Sequence, residues 1–354
     1  MADLKKSSIL IVDDTPDNLR LLSAILTAEG YKVRKALNGK TALRTIQTTP
    51  PDLILLDINM PEMNGYEVCQ KLKESPNTQP IPVIFISALN AVSDKVKAFA
   101  FGGVDYITKP FQGEEVLARV ANHLSLRSLQ KALQIEQEKS ERLLLNILPK
   151  TIADQLKEGQ NAVAEQFETA SFLFADIVGF MPSSSTLPPA AVVDLLNQIF
   201  STFDRLTEQY GLEKIRTIGD SYFVAGGLPM RRNDHAEAIA QLALDMQAAI
   251  GRFKWSNDTP LSLRIGINTG GPVVAAAIGT KKFAYDVWGD AVNIASRMES
   301  QGEAGKIQVT IDTYEQLKHA YLLEKRGIIP VKGKGQMTTY WLIGRKNPNA
   351  QGTI

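Results

Sequence analysis

Two sets of carboxylates in this 354-residue chain stand where charge could do chemistry. The first is Asp13, Asp14 and Asp57, in SILIVDD (8–14) and DLILLDI (52–58). Each follows a continuous apolar run of the kind that forms a strand buried on both faces. Each should therefore sit at a strand's carboxyl end, where ligands gather in open α/β sheets. Three such acids repel one another unless a cation sits among them, and hard oxygen ligands with water completing the shell suit Mg2+. Ser87, in PVIFISA (82–88), adds a hydroxyl at another strand end. Lys109, in ITKPF, adds an ammonium beside an X-Pro bond of the type that can be cis. The second set is Asp176 in FADIVGF (174–180) and Asp220 in KIRTIGDSYFVAGG (214–227). Asp220 falls at a turn between two short strands, where an Asp commonly bonds its own backbone. Two acids facing one point would instead imply one or two divalent ions.

The elements that must position these residues differ along the chain. Over the first 125 residues buried-strand runs alternate with amphipathic patterns such as NLRLLSAILTAEG (18–30), which Gly30 should stop. That alternation predicts an α/β fold with a doubly wound (βα)5 domain over 1–125. Residues 126–166 carry no strand signal until their end and form a helical linker. Read as a heptad, the seam holds Leu126, Leu129, Leu133, Glu136, Ser140, Leu143 and Ile147. Two arrangements fit, a lone helix lying on its own domain or a short parallel coiled coil, and the steady phase between two domains favours the second. Pro149 should kink or restart the helix.

From 167 to 345 the order of strands and helices changes to β-α-β-β-α-β with additions, which predicts a ferredoxin-like α/β domain. Pro188 and Pro189 open a helix whose apolar side holds Val192, Leu196, Ile199, Phe203 and Leu206 and which Gly211 stops. A second helix is expected at 236–252, and strands at 261–270, 306–310 and 337–344. In such a sheet the first strand lies beside the central hairpin, which would bring Asp176 to Asp220. Residues 346–354 read as a disordered tail.

Bulk properties narrow the function classes. A formal net charge of +1 gives no pull toward nucleic acid or an anionic membrane. The single cysteine, Cys69, excludes an intrachain disulfide and fits a reducing compartment. His123, His235 and His319 lack zinc-ligand spacing. No apolar run is long enough to span a bilayer or to serve as a signal peptide, so a cytoplasmic location is expected. Neither GxxxxGK[ST] nor GxGxxG occurs.

Residues 7–125 resemble the receiver domain of two-component response regulators. The resemblance rests on the acidic pair 13–14, LLDINMPEMNG (55–65), the ISA around Ser87 and DYITKPF (105–111). It implies that a sensor histidine kinase phosphorylates Asp57 and that Asp13 and Asp14, with Asp57, hold Mg2+. Ser87 and Lys109 would read the phosphoryl group, with Tyr106 as the aromatic switch residue. A new dianion beside a hydroxyl and an ammonium gains charge-assisted hydrogen bonds that can reorder a loop.

Residues 167–344 resemble class III nucleotidyl cyclases. FADIVGF, KIRTIGDSYFVAGG, GINTG, YDVWGDAVNIASRMES (285–300) and VKGKGQ (331–336) occur in the family's order. The resemblance implies that Asp176 and Asp220 bind two Mg2+ (or Mn2+) ions, one activating the ribose 3′-hydroxyl and one holding the triphosphate. Asn293 would orient the ribose, Arg297 would stabilise charge at the α-phosphate, and Lys334 would contact the terminal phosphates. The base-reading positions are Arg216 and Asp286. Adenylate cyclases usually show Lys with Asp or Thr there, and guanylate cyclases Glu with Cys. Asp286 can accept from the adenine amino group and would repel guanine O6, which points to ATP as substrate and cyclic AMP with pyrophosphate as products. Arg216 departs from Lys, and an Arg can also donate twice to guanine. Lys214, read as lying on the same strand face, could supply a second cation.

In this family the sites form between two chains packed head to tail, so the resemblance implies an obligate homodimer. Phosphorylation at Asp57 would then reach the cyclase through the paired helix, whose polar Glu136 and Ser140 keep it marginal. The competing readings are a guanylate or relaxed-specificity cyclase and a catalytically inactive, phosphorylation-controlled interaction module. A diguanylate cyclase is disfavoured because no GG[DE]EF sequence occurs.

Overall fold

The computed structural model describes residues 7–88, 92–159, 163–180, 182, 187–255, 258–279 and 283–346. The expected tail, apart from Lys346, lies outside them. The chain forms two compact units, 1–140 and 141–354.

In the first unit β1 (Ser8–Val12), β2 (Lys32–Ala36), β3 (Leu53–Asp57), β4 (Val83–Ser87) and β5 (Asp105–Thr108) form one parallel sheet in the order β2-β1-β3-β4-β5. Helices α1 (Pro16–Ala28), α2 (Gly39–Thr48), α3 (Gly65–Glu74), α4 (Val92–Ala100) and α5 (Gly113–Leu145) alternate with the strands. The apolar runs are continuous because both faces are covered. Leu10, Val12, Ile54, Leu56, Val83 and Phe85 face one core, which Val68 and Leu72 of α3 help to fill. Ile9, Ile11, Leu53, Leu55, Ile84 and Ile86 face the other, closed by α1 and by the start of α5. Burying one such side chain contributes about 1.5–3 kcal/mol, so the alternating residues fix the register firmly. Gly30 follows α1 with φ 88°, as the sequence predicts.

Helix α5 continues without a break from Gly113 to Leu145. Leu126, Leu129, Leu133 and Leu143 of the expected seam are all exposed in the single chain. Pro149 caps the start of α6 (Lys150–Lys157), so the helix does restart there.

In the second unit a seven-stranded sheet runs β14-β15-β13-β10-β7-β9-β8. Its nucleus comprises β7 (Ala170–Ile177), α7 (Pro189–Gln209), β8 (Glu213–Ile218), β9 (Ser221–Gly226), α8 (His235–Ile250) and β10 (Leu263–Gly270). The antiparallel order β10-β7-β9-β8 is the ferredoxin-like arrangement, with the first strand beside the hairpin as expected. Ile199 and Phe203 of α7 are buried, and Val192, Leu196 and Leu206 pack at the edge of the same core. Beyond the nucleus come α9 (Asp290–Ser300), β13 (Ile307–Thr310) and α10 (Ile311–Leu317). The hairpin of β14 (Tyr321–Val331) and β15 (Gly335–Arg345) completes the sheet.

Helices α9 and α10 were not expected, nor were two features among the strands. One is β14, whose alternating exposed residues resemble a solvated segment in sequence. The other is a separate three-stranded sheet, β12-β11-β6, made of β6 (Val163–Phe167), β11 (Val273–Ile278) and β12 (Ala284–Trp288). Leu148, Ile152 and Ala153 pack into the core that lies between this sheet and the other face of β7 and β9. Among the described residues, no helix is long and apolar enough to cross a membrane.

Candidate functional site

The first unit gathers its acids as the strand ends dictate. Asp57 is the last residue of β3, Ser87 the last of β4, and Asp13 immediately follows β1. Asp13 and Asp57 are buried and Asp14 is exposed. One carboxylate oxygen from each lies within 4.8 Å of the others, a donor set that fits a hard divalent cation. Lys109 Nζ sits 3.0 Å from both Asp13 Oδ2 and Asp57 Oδ2, and the Lys109–Pro110 peptide is cis. Asp13 also accepts from the Thr15 backbone N–H at 2.9 Å and from the Asn18 amide. Burial raises the Asp57 pKa; Lys109 opposes the rise, while Asp13 and Asp14 add to it. Burial would lower the Lys109 pKa, but its bonds to Asp13 and Asp57 outweigh that and hold it above the ordinary value. Tyr106, one of the predicted residues, lies between Phe99, edge-on at 6.3 Å, and the Arg119 guanidinium, 5.7 Å above its ring.

In the second unit Asp176, on β7, lies opposite Ser221 of β9 and Arg264 of β10. Asp220 occupies the β8–β9 turn. Burial raises the Asp176 pKa first, and the charge of Asp220 raises it further. Asp220 is likewise raised by burial. Asp220 is thus near enough for its charge to act on Asp176, a repulsion that a divalent cation would relieve.

Asn293, Arg297 and Lys334 meet elsewhere in this unit. They line one cleft of about 520 Å3 between α9 and the β14–β15 turn, together with Asp290 and Val331. Lys334 Nζ bonds Asp290 at 2.5 Å. Neither Asp176 nor Asp220 belongs to that lining.

Arg216 and Asp286 form an ion pair, and Asp286 is buried with its second oxygen accepting from the Val287 N–H at 2.9 Å. Gly289, between Asp286 and α9, has φ 156°; a Cβ there would stand 2.7 Å from Val273, so the turn admits only glycine without rearrangement.

The expectation for Lys214 is corrected. The β8 register shifts between Lys214, opposite Val224, and Arg216, opposite Phe223. Those partners face opposite sides of the sheet, one in each core. An intervening bulge residue flips the period-2 alternation. Lys214 therefore pairs with Asp204 at 2.7 Å and lies over the Tyr222 ring, away from Asp286.

Two charged residues that matter here escaped the sequence reading. Arg264 Nη2 donates to Asp176 Oδ2 at 3.0 Å and its Nε to Glu299 Oε1 at 2.7 Å. The available signal was a guanidinium in the middle of the apolar run LSLRIGI, which burial tolerates only with partners.

A five-stranded parallel α/β unit with an acid pocket is joined in one chain to a ferredoxin-like unit with an acid pair. The chain belongs to the adenylate and guanylate cyclase catalytic domain family, whose model matches residues 162–344, and it carries a response regulator receiver domain at 9–121. An adenylate cyclase of Mycobacterium tuberculosis is 50% identical over 215 residues, 60% of this chain and 48% of that protein. The human guanylate cyclase soluble subunit beta-2 is 42% identical over 226 residues, 63% of this chain and 36% of that protein. The chain thus spans about half the length of the first of these relatives and less of the second. Among solved structures, the guanylate cyclase domain of RhGC from Catenaria anguillulae in complex with GTP is 35% identical with a TM-score of 0.50. It covers 51% of this chain and 100% of that domain.

Proposed function

We propose that the chain is a phosphorylation-regulated adenylate cyclase that converts ATP to 3′,5′-cyclic AMP and pyrophosphate in a head-to-tail homodimer. The observation that carries this reading is the separation within one chain of the acid pair from the cleft that holds Asn293, Arg297 and Lys334. Two copies packed head to tail would close one set against the other twice over. Asp176 and Asp220 would hold two Mg2+ or Mn2+ ions, which when bound ease ionisation of the ribose 3′-hydroxyl and take up phosphate charge. Asn293 orients the ribose. Arg297 donates to the oxygens of the α-phosphate as their charge grows. Lys334, released from Asp290, holds the terminal phosphates.

The Arg216–Asp286 pair would open to meet the base, Asp286 accepting from the adenine amino group and Arg216 donating to N1. In the receiver, Asp13, Asp14 and Asp57 would hold Mg2+, Asp57 would take a phosphoryl group from a histidine kinase, and Ser87, Lys109 and Tyr106 would respond. The exposed leucine stripe of α5 supports a paired helix as the route between the domains.

A second reading, a guanylate or relaxed-specificity cyclase, is favoured by Arg216, whose fork can also serve guanine O6 and N7. The deciding experiment incubates purified protein with ATP or GTP and Mg2+ or Mn2+ and identifies the products. Cyclic AMP formation well above cyclic GMP is expected, and Arg216→Lys should widen that ratio by about tenfold. Equal or greater cyclic GMP would overturn the substrate assignment. No cyclic nucleotide, with or without a phosphodonor, would leave an interaction module.

A further inference from the structure

The acid pair of the second unit is flanked by a third carboxylate and by a cation of its own. Arg264 extends from β10 with its stem against Gly302, where a Cβ would come within 3.0 Å of Arg264 Cγ. Its guanidinium then bridges Glu299 and Asp176. Glu299 is held in place by the backbone. At Gly266, two residues along β10 from Arg264, an added Cβ would lie 1.9 Å from the Glu299 backbone nitrogen. Helix α9 therefore rests directly on the strand, and Glu299 is held there only 8% exposed. Arg264 is the more exposed partner, its side chain 31% accessible against 10% for that of Glu299. Its Nε donates to Glu299 and its Nη2 to Asp176, so the two contacts use different nitrogens and losing one does not require losing the other.

We infer that Glu299 is a positioning residue: it holds Arg264 as a built-in counter-cation to Asp176 and Asp220, and it retains the guanidinium when a divalent ion takes the acid pair. This inference rests on the assignment of metal to Asp176 and Asp220. With Glu299 present the local set is three carboxylates and one guanidinium. Removing the Glu299 charge does two things in the same direction. It lowers the net negative charge facing an incoming ion, and it leaves Arg264 with only the acid pair to bind, so the guanidinium competes harder. Removing the Arg264 charge does the opposite, since the competitor is gone.

The test titrates Mn2+ alone into the full chain, without nucleotide, and reads free ion by electron paramagnetic resonance. An Asp176→Asn chain defines the binding that belongs to the receiver. For the remaining sites, Glu299→Gln should weaken Mn2+ binding roughly tenfold, and Arg264→Gln should tighten it by a similar factor. A variant that had merely lost its fold could not bind more tightly, so the opposite signs separate positioning from stability; melting midpoints check both variants. Unchanged affinity in Glu299→Gln and Arg264→Gln, with loss in Asp176→Asn, overturns the positioning role and leaves the metal assignment standing. Full binding retained in Asp176→Asn overturns the metal assignment itself.

Discussion

Both acid sites of this molecule solve the same electrostatic problem, and they solve it differently. In the receiver an ammonium, Lys109, bridges two buried carboxylates at equal distances of 3.0 Å. In the cyclase unit a guanidinium, Arg264, bridges one carboxylate of the acid pair and Glu299 outside it. A compact ammonium on a flexible stem can move to a new dianion, which suits a pocket that gains a phosphoryl group. A planar fork anchored through Nε is suited to staying near while its acid partner changes. The receiver also collects all its chemistry at the carboxyl ends of β1, β3, β4 and β5, whereas the cyclase unit spreads its own over two places. On the proposed reading, one site is complete in one chain and the other would need a second copy.

The largest effect tests that difference. Asp176→Asn and Arg297→Ala should each lower cyclase activity by roughly a hundredfold to a thousandfold. Mixed together, the two inactive chains should recover roughly a quarter of the original rate, because half the dimers pair unlike chains and each such dimer rebuilds one of its two sites. Product formation by the mixture is the measurement. If the mixed chains stay as inactive as either alone, the split-site reading fails.

A smaller effect concerns the receiver, where no complementation is expected. Asp57→Ala should abolish any change in rate on treatment with a small phosphodonor such as acetyl phosphate while leaving basal turnover in place. A variant that still responds to the phosphodonor would remove Asp57 from the regulatory route.

These contrasts were only partly readable from sequence, and the reasons are physical. Strands β1, β3 and β4 were legible because burial on both faces leaves runs such as LILLD with no polar residue until the last. The edge strands β2 and β5 carry no such run. The hairpin carrying Asp220 was legible because its strands flank a Gly-Asp turn. β6, β11 and β12 were not, since short strands such as VVAAAI carry small residues that suit a helix equally well. The bulge in β8 was invisible for a different reason. Whether Lys214 and Arg216 share a face depends on one extra residue in the register, which the pairing strand decides and the local sequence does not. Arg264 and Glu299 belong to elements far apart in the chain, and only the contact of α9 with β10 at Gly266 makes them partners.

A half-buried carboxylate with no ion-pair partner should behave differently from both acid sites. Glu213, at the start of β8, is half-buried and lines a cleft with Leu148, Pro149, Lys150, Asp204, Leu212 and Lys214. Among the described residues neither lysine forms an ion pair with it, and Lys214 is turned to Asp204. Burial alone pushes its carboxyl from an ordinary value of 4.5 up to about 7, unlike Asp57, where Lys109 opposes the same push. Since the folded state holds this proton more tightly than the unfolded chain, the contribution to stability is full below pH 4.5 and is lost as pH rises through about 7. Discounted for water at the partly exposed carboxyl, the loss is on the order of 2 kcal/mol. Glu213→Gln keeps the shape and removes the titration. Its melting midpoint should match that of the unaltered chain near pH 5 and exceed it by about 5 °C at pH 8. Thermal denaturation across that range is the check, and a difference that does not grow with pH would mean that Glu213 is ionised in the fold, with a counter-charge supplied from elsewhere.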